Sequence, residues 1–186
     1  FSIIGTDFFK DMVFKARDCR LDRIVALKTL KVRSTKTEQQ VERFVREAKA
    51  AARLDHPNII PCYESGEHDG WHYLTMAYVA GKSLQDRLEK GPLKPEDAAR
   101  LVYALSGAVA HAHHQGVIHR DIKPSNVLLD KDDRPRLTDF GIAKLLDGDL
   151  FSAPTQITLV GQVLGTPGYM APEQSAGRRW EVGQSV

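Results

Sequence analysis

His119, Arg120, Asp121, Ile122, Lys123, Pro124, Ser125 and Asn126 follow one another, and Asp139, Phe140 and Gly141 begin thirteen positions after Asn126. These residue types at this spacing can move a phosphoryl group. Asp121 can accept a hydroxyl proton, Lys123 can hold a terminal phosphate, and the Asn126 amide with the Asp139 carboxylate can ligate magnesium. Such a reaction asks little covalent chemistry of the protein, so catalysis rests on positioning and on cations set against developing negative charge. Reading Asp121 as a simple turn residue leaves Arg120, Lys123 and Asn126 beside it unexplained.

Side chains so used must be carried by elements that fix them. Residues 20–31 alternate with a period of two around Val25, Ala26, Leu27 and Lys28, which predicts a strand with Ala26 and Lys28 on one face. From Thr37 the spacing becomes helical: Val41, Phe44, Val45, Ala48, Ala51 and Ala52 form an apolar stripe, and residues 37–40 fit a capping box. Glu47 lies beside that stripe, where it can face a neighbouring strand. Pro57, within Asp55, His56 and Asn58, ends the helix. Tyr73 to Val79 reads as a strand running into the connector Ala80, Gly81, Lys82 and Ser83. A lobe boundary is therefore expected there, with one lobe at 1–79 and the other at 80–186. Pro95 opens a long helix with apolar positions at Ala98, Leu101, Val102, Leu105, Val109 and Ala112, and Gly116 stops it. His111, His113 and His114 at its end read as a solvated terminus that suits the helix dipole. Val127 to Leu129 and Arg136 to Thr138 flank Asp130 to Asp133 as a hairpin with Asn126 at one end and Asp139 at the other.

Composition excludes more than it selects. With 186 residues, 42% apolar and 27% charged, the chain has room for one medium domain. The formal net charge is +2 and no Lys/Arg cluster is long enough to make a patch, so neither nucleic acid nor a membrane surface is an expected partner. Cys19 and Cys62 lack metal-ligand spacing and read as small buried thiols in a reducing cytosol. No apolar run reaches the roughly 18 residues a membrane span needs, so a cytoplasmic location is expected, with an anchor in a longer parent left open. A start at Phe1 and an end at Val186 in a polar stretch read as a C-terminally truncated fragment.

The chain resembles a eukaryotic-type serine/threonine protein kinase of the bacterial style. The matching positions are Val25 to Lys28, Glu47, His119 to Asn126, Asp139 to Gly141, and Gly165 to Glu173, all in the family's order. The resemblance implies an α+β bilobal fold: a small β-rich N-lobe with one regulatory helix, and an incomplete, mainly helical C-lobe. It further implies ATP and Mg2+ as cofactors, and protein substrates with Ser or Thr hydroxyls. Lys28 would contact the α- and β-phosphates and pair with Glu47. Asp121 would orient the substrate hydroxyl, Lys123 would neutralise the transferred group, and Asn126 and Asp139 would hold magnesium. Ile4, Gly5, Ala26, Met76, Ala77, Val79 and Leu128 would form the nucleotide pocket, with Met76 gating its back and Leu128 as its floor. Lys123 with Thr166 fits the serine/threonine branch. Ser152, Thr155 and Thr158 lie between Gly141 and Gly165, and Arg120 precedes Asp121, so self-phosphorylation at Thr155 or Thr158 is expected.

Two departures cut against the pattern. The family covers the phosphates with Gly-x-Gly-x-x-Gly-x-Val, whereas this chain has only Gly5 before Val13 and places Asp7 in that stretch. Weaker ATP binding is expected. Beyond Glu173 the family's central helix and the Arg that pairs with this Glu are missing. The competing reading is therefore an inactive pseudokinase that binds nucleotide or protein.

Overall fold

The computed structural model describes residues 1–6, 13–31, 48–119, 121–140 and 167–169. The alternation around Val25 becomes strand β3 (Arg23–Lys31), central in a five-stranded antiparallel sheet with β1 (Ser2–Thr6), β2 (Val13–Asp18), β4 (Cys62–His68) and β5 (Trp71–Ala77) in the order β1-β2-β3-β5-β4. Arg20 to Asp22, expected to open β3, instead make the turn from β2, with Asp22 at φ 50°. Both faces of β3 are covered. Val25 and Leu27 pack with Ala16, Phe14 and Tyr73 on one side, while Ala26 packs against the main core on the other. Lys28 therefore shares the core-facing side with Ala26, as the period of two requires.

The predicted first helix is described only at its end, a helical turn at 48–51 in which Ala48 and Ala51 are buried. Ala52, placed on the apolar stripe from sequence, is exposed, because the chain has already left the helix there. Glu47 and the start of that helix lie outside the described residues.

After β5 the connector passes so close to a neighbouring strand that a Cβ on Gly81 would sit 1.9 Å from the Leu129 carbonyl oxygen. Only glycine fits there. A second, three-stranded sheet follows: β6 (Lys82–Ser83), β7 (Val127–Leu129) and β8 (Pro135–Leu137), in that order. Helix α1 (Leu84–Leu88) starts at a capping box in which Ser83 accepts the Asp86 N–H and Asp86 accepts the Ser83 N–H, each at 3.0 Å. Helix α2 (Pro95–His114) ends where predicted. Gly116, at φ 73°, donates to His113 O, and Val117 N donates to Ala112 O, the paired bonds of a Schellman stop. The core side of α2 is narrower than its apolar pattern suggests: Ala108 and Ala112 are buried, but Val102 is 59% exposed.

The main core draws on both sides of the connector, with Leu74 and Met76 from β5 packed among Leu84, Ala108, Val127 and Leu137. Leu137 is completely buried, a side chain whose burial contributes about 2 kcal/mol. The segment before β4 docks on it: Ile60 N donates to Leu137 O at 2.9 Å, and Leu137 N donates to Asn58 O at 2.8 Å.

Candidate active site

The catalytic loop is held by its own polar groups. Asn126 sits in a 3-10 turn (Pro124–Asn126), where Pro124 fixes the first position and Asn126 N donates to Lys123 O. The Asn126 amide nitrogen donates to Asp121 twice, to its carbonyl at 2.8 Å and to its carboxylate at 3.1 Å. Lys123 Nζ lies 3.0 Å from the same carboxylate. One strap then binds this loop to the metal-ligand candidate on the other side of the hairpin, because Thr138 N donates to Asn126 O at 3.0 Å. Asp139 follows directly.

Asp139 adopts a left-handed backbone, φ 61°, which Asp tolerates better than most residues with a Cβ. This turn aims its carboxylate at β3, where Lys28 Nζ donates to Oδ1 at 2.7 Å. Lys28 is only 4% exposed, so its ammonium needs such a partner. Phe140 is buried and rests against the His119 ring, centroids 4.7 Å apart.

The sequence pattern assigns no task to His119, and to Thr138 only a place at the end of the hairpin. His119 Nε2 meets Thr138 O at 2.8 Å, while Nδ1 accepts the Asp121 N–H at 3.3 Å. Those two bonds need a neutral ring with its proton on Nε2. Burial favours that form, holding His119 below the usual 6.5 against the upward pull of the Thr138 carbonyl and the Asp139 and Asp121 carboxylates. A His directly before Arg120 and Asp121 was the only sequence signal for this brace.

Among the apolar candidates, Met76 is buried in the main core, and Ala26, Ala77, Val79 and Leu128 pack against that same cluster. Thr138 Oγ1 donates to Met76 Sδ at 3.6 Å, tying the back of this apolar wall to the Asp139 strand. Ala77 N is committed to Pro61 O at 3.0 Å, whereas Val79 N donates to nothing among the described residues. Ile4 is not brought into the cluster. It is 55% exposed on the edge strand β1. Gly5 lies in β1, next to a register shift between Ile3 and Gly5. Glu47, Thr166, Arg120, Thr155 and Thr158 lie outside the described residues. An open groove of about 340 Å³ flanks the catalytic loop, lined by Gln85 and Leu88 of α1 and Glu89 just after it, together with Lys123, Ser125 and Tyr169.

The thiols differ from expectation. Cys19 is exposed on the turn after β2, since the turn has no core to enter. Cys62 is half-buried, and burial with help from the Asp139 charge pushes its thiol up to about 11, which keeps it protonated and unreactive at neutral pH. His113 and His114 are exposed as expected, but His111 turns inward toward His56. Among the described residues no group of three or more His, Cys, Asp or Glu could hold a metal, and no helix is long and apolar enough to cross a membrane.

A polar loop strapped to a lysine-bearing strand, below a small antiparallel sheet, defines a kinase-like phosphotransfer fold. The protein kinase domain model matches residues 10–184, and the chain belongs to that family. It is 42% identical over 166 residues to the serine/threonine-protein kinase PrkC of Bacillus subtilis, covering 89% of this chain and 25% of that protein. It is 38% identical over 164 residues to the serine/threonine-protein kinase PknL of Mycobacterium bovis, covering 87% of this chain and 39% of PknL. A crystal structure of the Mycobacterium tuberculosis PknI kinase domain superposes with a TM-score of 0.73 at 30% identity, covering 96% of this chain and 65% of that one. The chain thus spans well under half the length of these two curated relatives.

Proposed function

We propose that the chain carries the catalytic site of a serine/threonine protein kinase that transfers the γ-phosphoryl group of ATP to Ser or Thr hydroxyls of proteins. The observation that carries this reading is the connected set Lys28–Asp139–Thr138–Asn126–Asp121–Lys123, in which every link is a hydrogen bond, an ion pair or a peptide bond. Residues 1–79 would hold the nucleotide and 80–186 the catalytic loop. Asp121, which accepts a hydrogen bond from the Asn126 amide, would accept the hydroxyl proton. Lys123 beside it offers a cation to the group in transit. Ala26, Met76 and Leu128 offer an apolar slot for a purine, with the Val79 amide as a donor to its edge. Thr166 would support the loop on the substrate side.

The donor set fits magnesium. Both N–H groups of the Asn126 amide are spent on Asp121, which leaves the amide oxygen for a cation, and Lys28 takes only one of the two Asp139 oxygens. When bound, magnesium would supply charge neutralisation to the phosphate oxygens. The groove beside Lys123, open and partly apolar, suits an extended protein segment more than a small alcohol. We further propose self-phosphorylation at Thr155 or Thr158 and a cytoplasmic site of action.

A second reading, an inactive nucleotide- or protein-binding module, draws on the single glycine before Val13. Mg-ATP binding and autophosphorylation, measured on this polypeptide and on the full-length protein with Asp121→Asn as control in each, separate the two. Phosphate incorporation that Asp121→Asn abolishes supports the enzyme. Binding without turnover in both forms supports the module.

A further inference from the structure

His56 and His111 face one another between the 55–60 segment and α2, their ring centroids 5.4 Å apart. His56 Nδ1 accepts the Asn58 N–H at 3.1 Å, so that nitrogen carries no proton and the ring is neutral. His111 Nε2 is buried and meets no hydrogen-bond partner among the described residues. Gly107 brings side-chain-free backbone of α2 close to the ring, since a Cβ there would lie 3.8 Å from His56 Nε2. Among the described residues, the titratable groups acting on His56 are His111 from α2 and Asp55 beside it in the chain.

What His56 stabilises matters to the site. Asn58, whose amide it accepts, sends its side-chain nitrogen to Pro135 O at 2.7 Å and receives Leu137 N at its carbonyl, and Ile60 N closes on Leu137 O. Asn58 and Ile60 thus clasp both ends of β8, the strand that leads through Thr138 to Asp139. We infer that the His56–His111 pair is a proton-sensitive latch: with His56 neutral the 55–60 segment closes on β8, and a proton from solvent on His56 Nδ1 removes the acceptor of the Asn58 amide, sets a cation against a second imidazole, and loosens the strand that delivers Asp139.

The sign follows from burial. Desolvation and His111 lower the His56 value from 6.5, against the opposing effect of Asp55. A base whose value is lowered on folding contributes fully above its unfolded value, so the latch is complete above 6.5 and is lost as pH falls through the lower folded value.

The latch rests on local geometry, while its effect on nucleotide binding also rests on the proposed catalytic reading. The test therefore has two arms on the full-length protein: amide exchange at Ile60 and Leu137, corrected for intrinsic pH dependence, and Mg-ATP affinity, each at pH about 7.5 and about 5.5. His56→Asn is the comparison, because its side-chain oxygen can accept the Asn58 amide but does not titrate. Wild type should lose at least about threefold more protection than His56→Asn on acidification, with affinity falling in parallel. Superimposable pH profiles in the exchange arm would overturn the latch. Lost protection without lost affinity would leave the latch standing and count against the role of Asp139. As a check independent of His56→Asn folding, His111→Gln should raise the His56 titration midpoint read by ring NMR, and an unmoved midpoint would also overturn the proposal.

Discussion

Strand β1 and the β7–β8 hairpin both bear residues assigned to the phosphate end of the site, yet they are held very differently. Among the described residues β1 pairs only with β2, its register breaks between Ile3 and Gly5, and Phe1, Ile3 and Ile4 are 45%, 55% and 55% exposed. The hairpin has Leu137 and Val127 fully in the core, a backbone strap from Thr138 to Asn126, and His119 bracing Thr138 from behind. The difference teaches that the groups proposed to meet metal and hydroxyl are fixed by the fold, whereas the cover proposed for the nucleotide begins on an edge strand in a glycine-poor stretch. Catalytic chemistry and nucleotide affinity should therefore respond to mutation separately.

The sharpest way to break that contrast is Asp121→Asn, which keeps the side chain's size but removes the carboxylate proposed as the base. We expect a loss of about 10³-fold in kcat with Mg-ATP affinity changed by less than about threefold, measured by phosphotransfer and by titration. Next comes Gly81→Ala. The added methyl meets backbone at the Leu129 carbonyl, so the connector or β7 must move, at a cost of about 3 kcal/mol in urea unfolding. If Gly81→Ala were neutral, the hairpin would be far more yielding than its contacts indicate.

A smaller effect belongs to Asp130, which caps the hairpin turn by accepting the Asp132 and Arg134 amides at 3.0 Å and pairing with Arg136 at 3.3 Å. Burial alone would raise its value, but these amides and the guanidinium outweigh it and hold the carboxyl below 3.8. Asp130→Ala should cost about 1 to 2 kcal/mol at neutral pH. Because the folded value is depressed, that difference is present above 3.8 and disappears as pH falls through the lower folded value, which unfolding curves at several pH values will show. Smallest of all, Asp7→Gly, in the glycine-poor stretch, should tighten Mg-ATP by about fivefold through lost repulsion, without altering kcat. A comparable rise in kcat would mean that cover and catalytic loop are not independent.

Much of the site was legible because its information is local. The two-residue alternation at Val25–Lys28 placed Lys28, Pro95 and Gly116 bracketed α2, and Asp130 to Asp133 marked the hairpin between Asn126 and Asp139. Strand β4 was not legible, since Glu64, Ser65, Gly66 and Glu67 offer no apolar alternation and gain their pairing from β5 alone. Helix α1 carried a readable sign in Ser83 and Asp86, but it is too short for a period to emerge. The ties from Asn58 to β8 and from His119 to Thr138 join residues far apart in sequence, so no spacing rule could announce them. Lys28 against Asp139 is of the same kind: Lys28 was expected at the phosphates and Asp139 on magnesium, and their direct contact follows only from where β3 and the hairpin meet.

The left-handed backbone at Asp139 has an evolutionary corollary. Few amino acids with a Cβ enter that conformation cheaply, and the two replacements that do so best, asparagine and glycine, are each one nucleotide change from an aspartate codon. Mutational drift at this codon therefore tends to delete the charge while keeping the backbone turn, at the cost of taking the Asp139 carboxylate from buried Lys28. Descendants of such a gene would persist as folded proteins that have fallen silent.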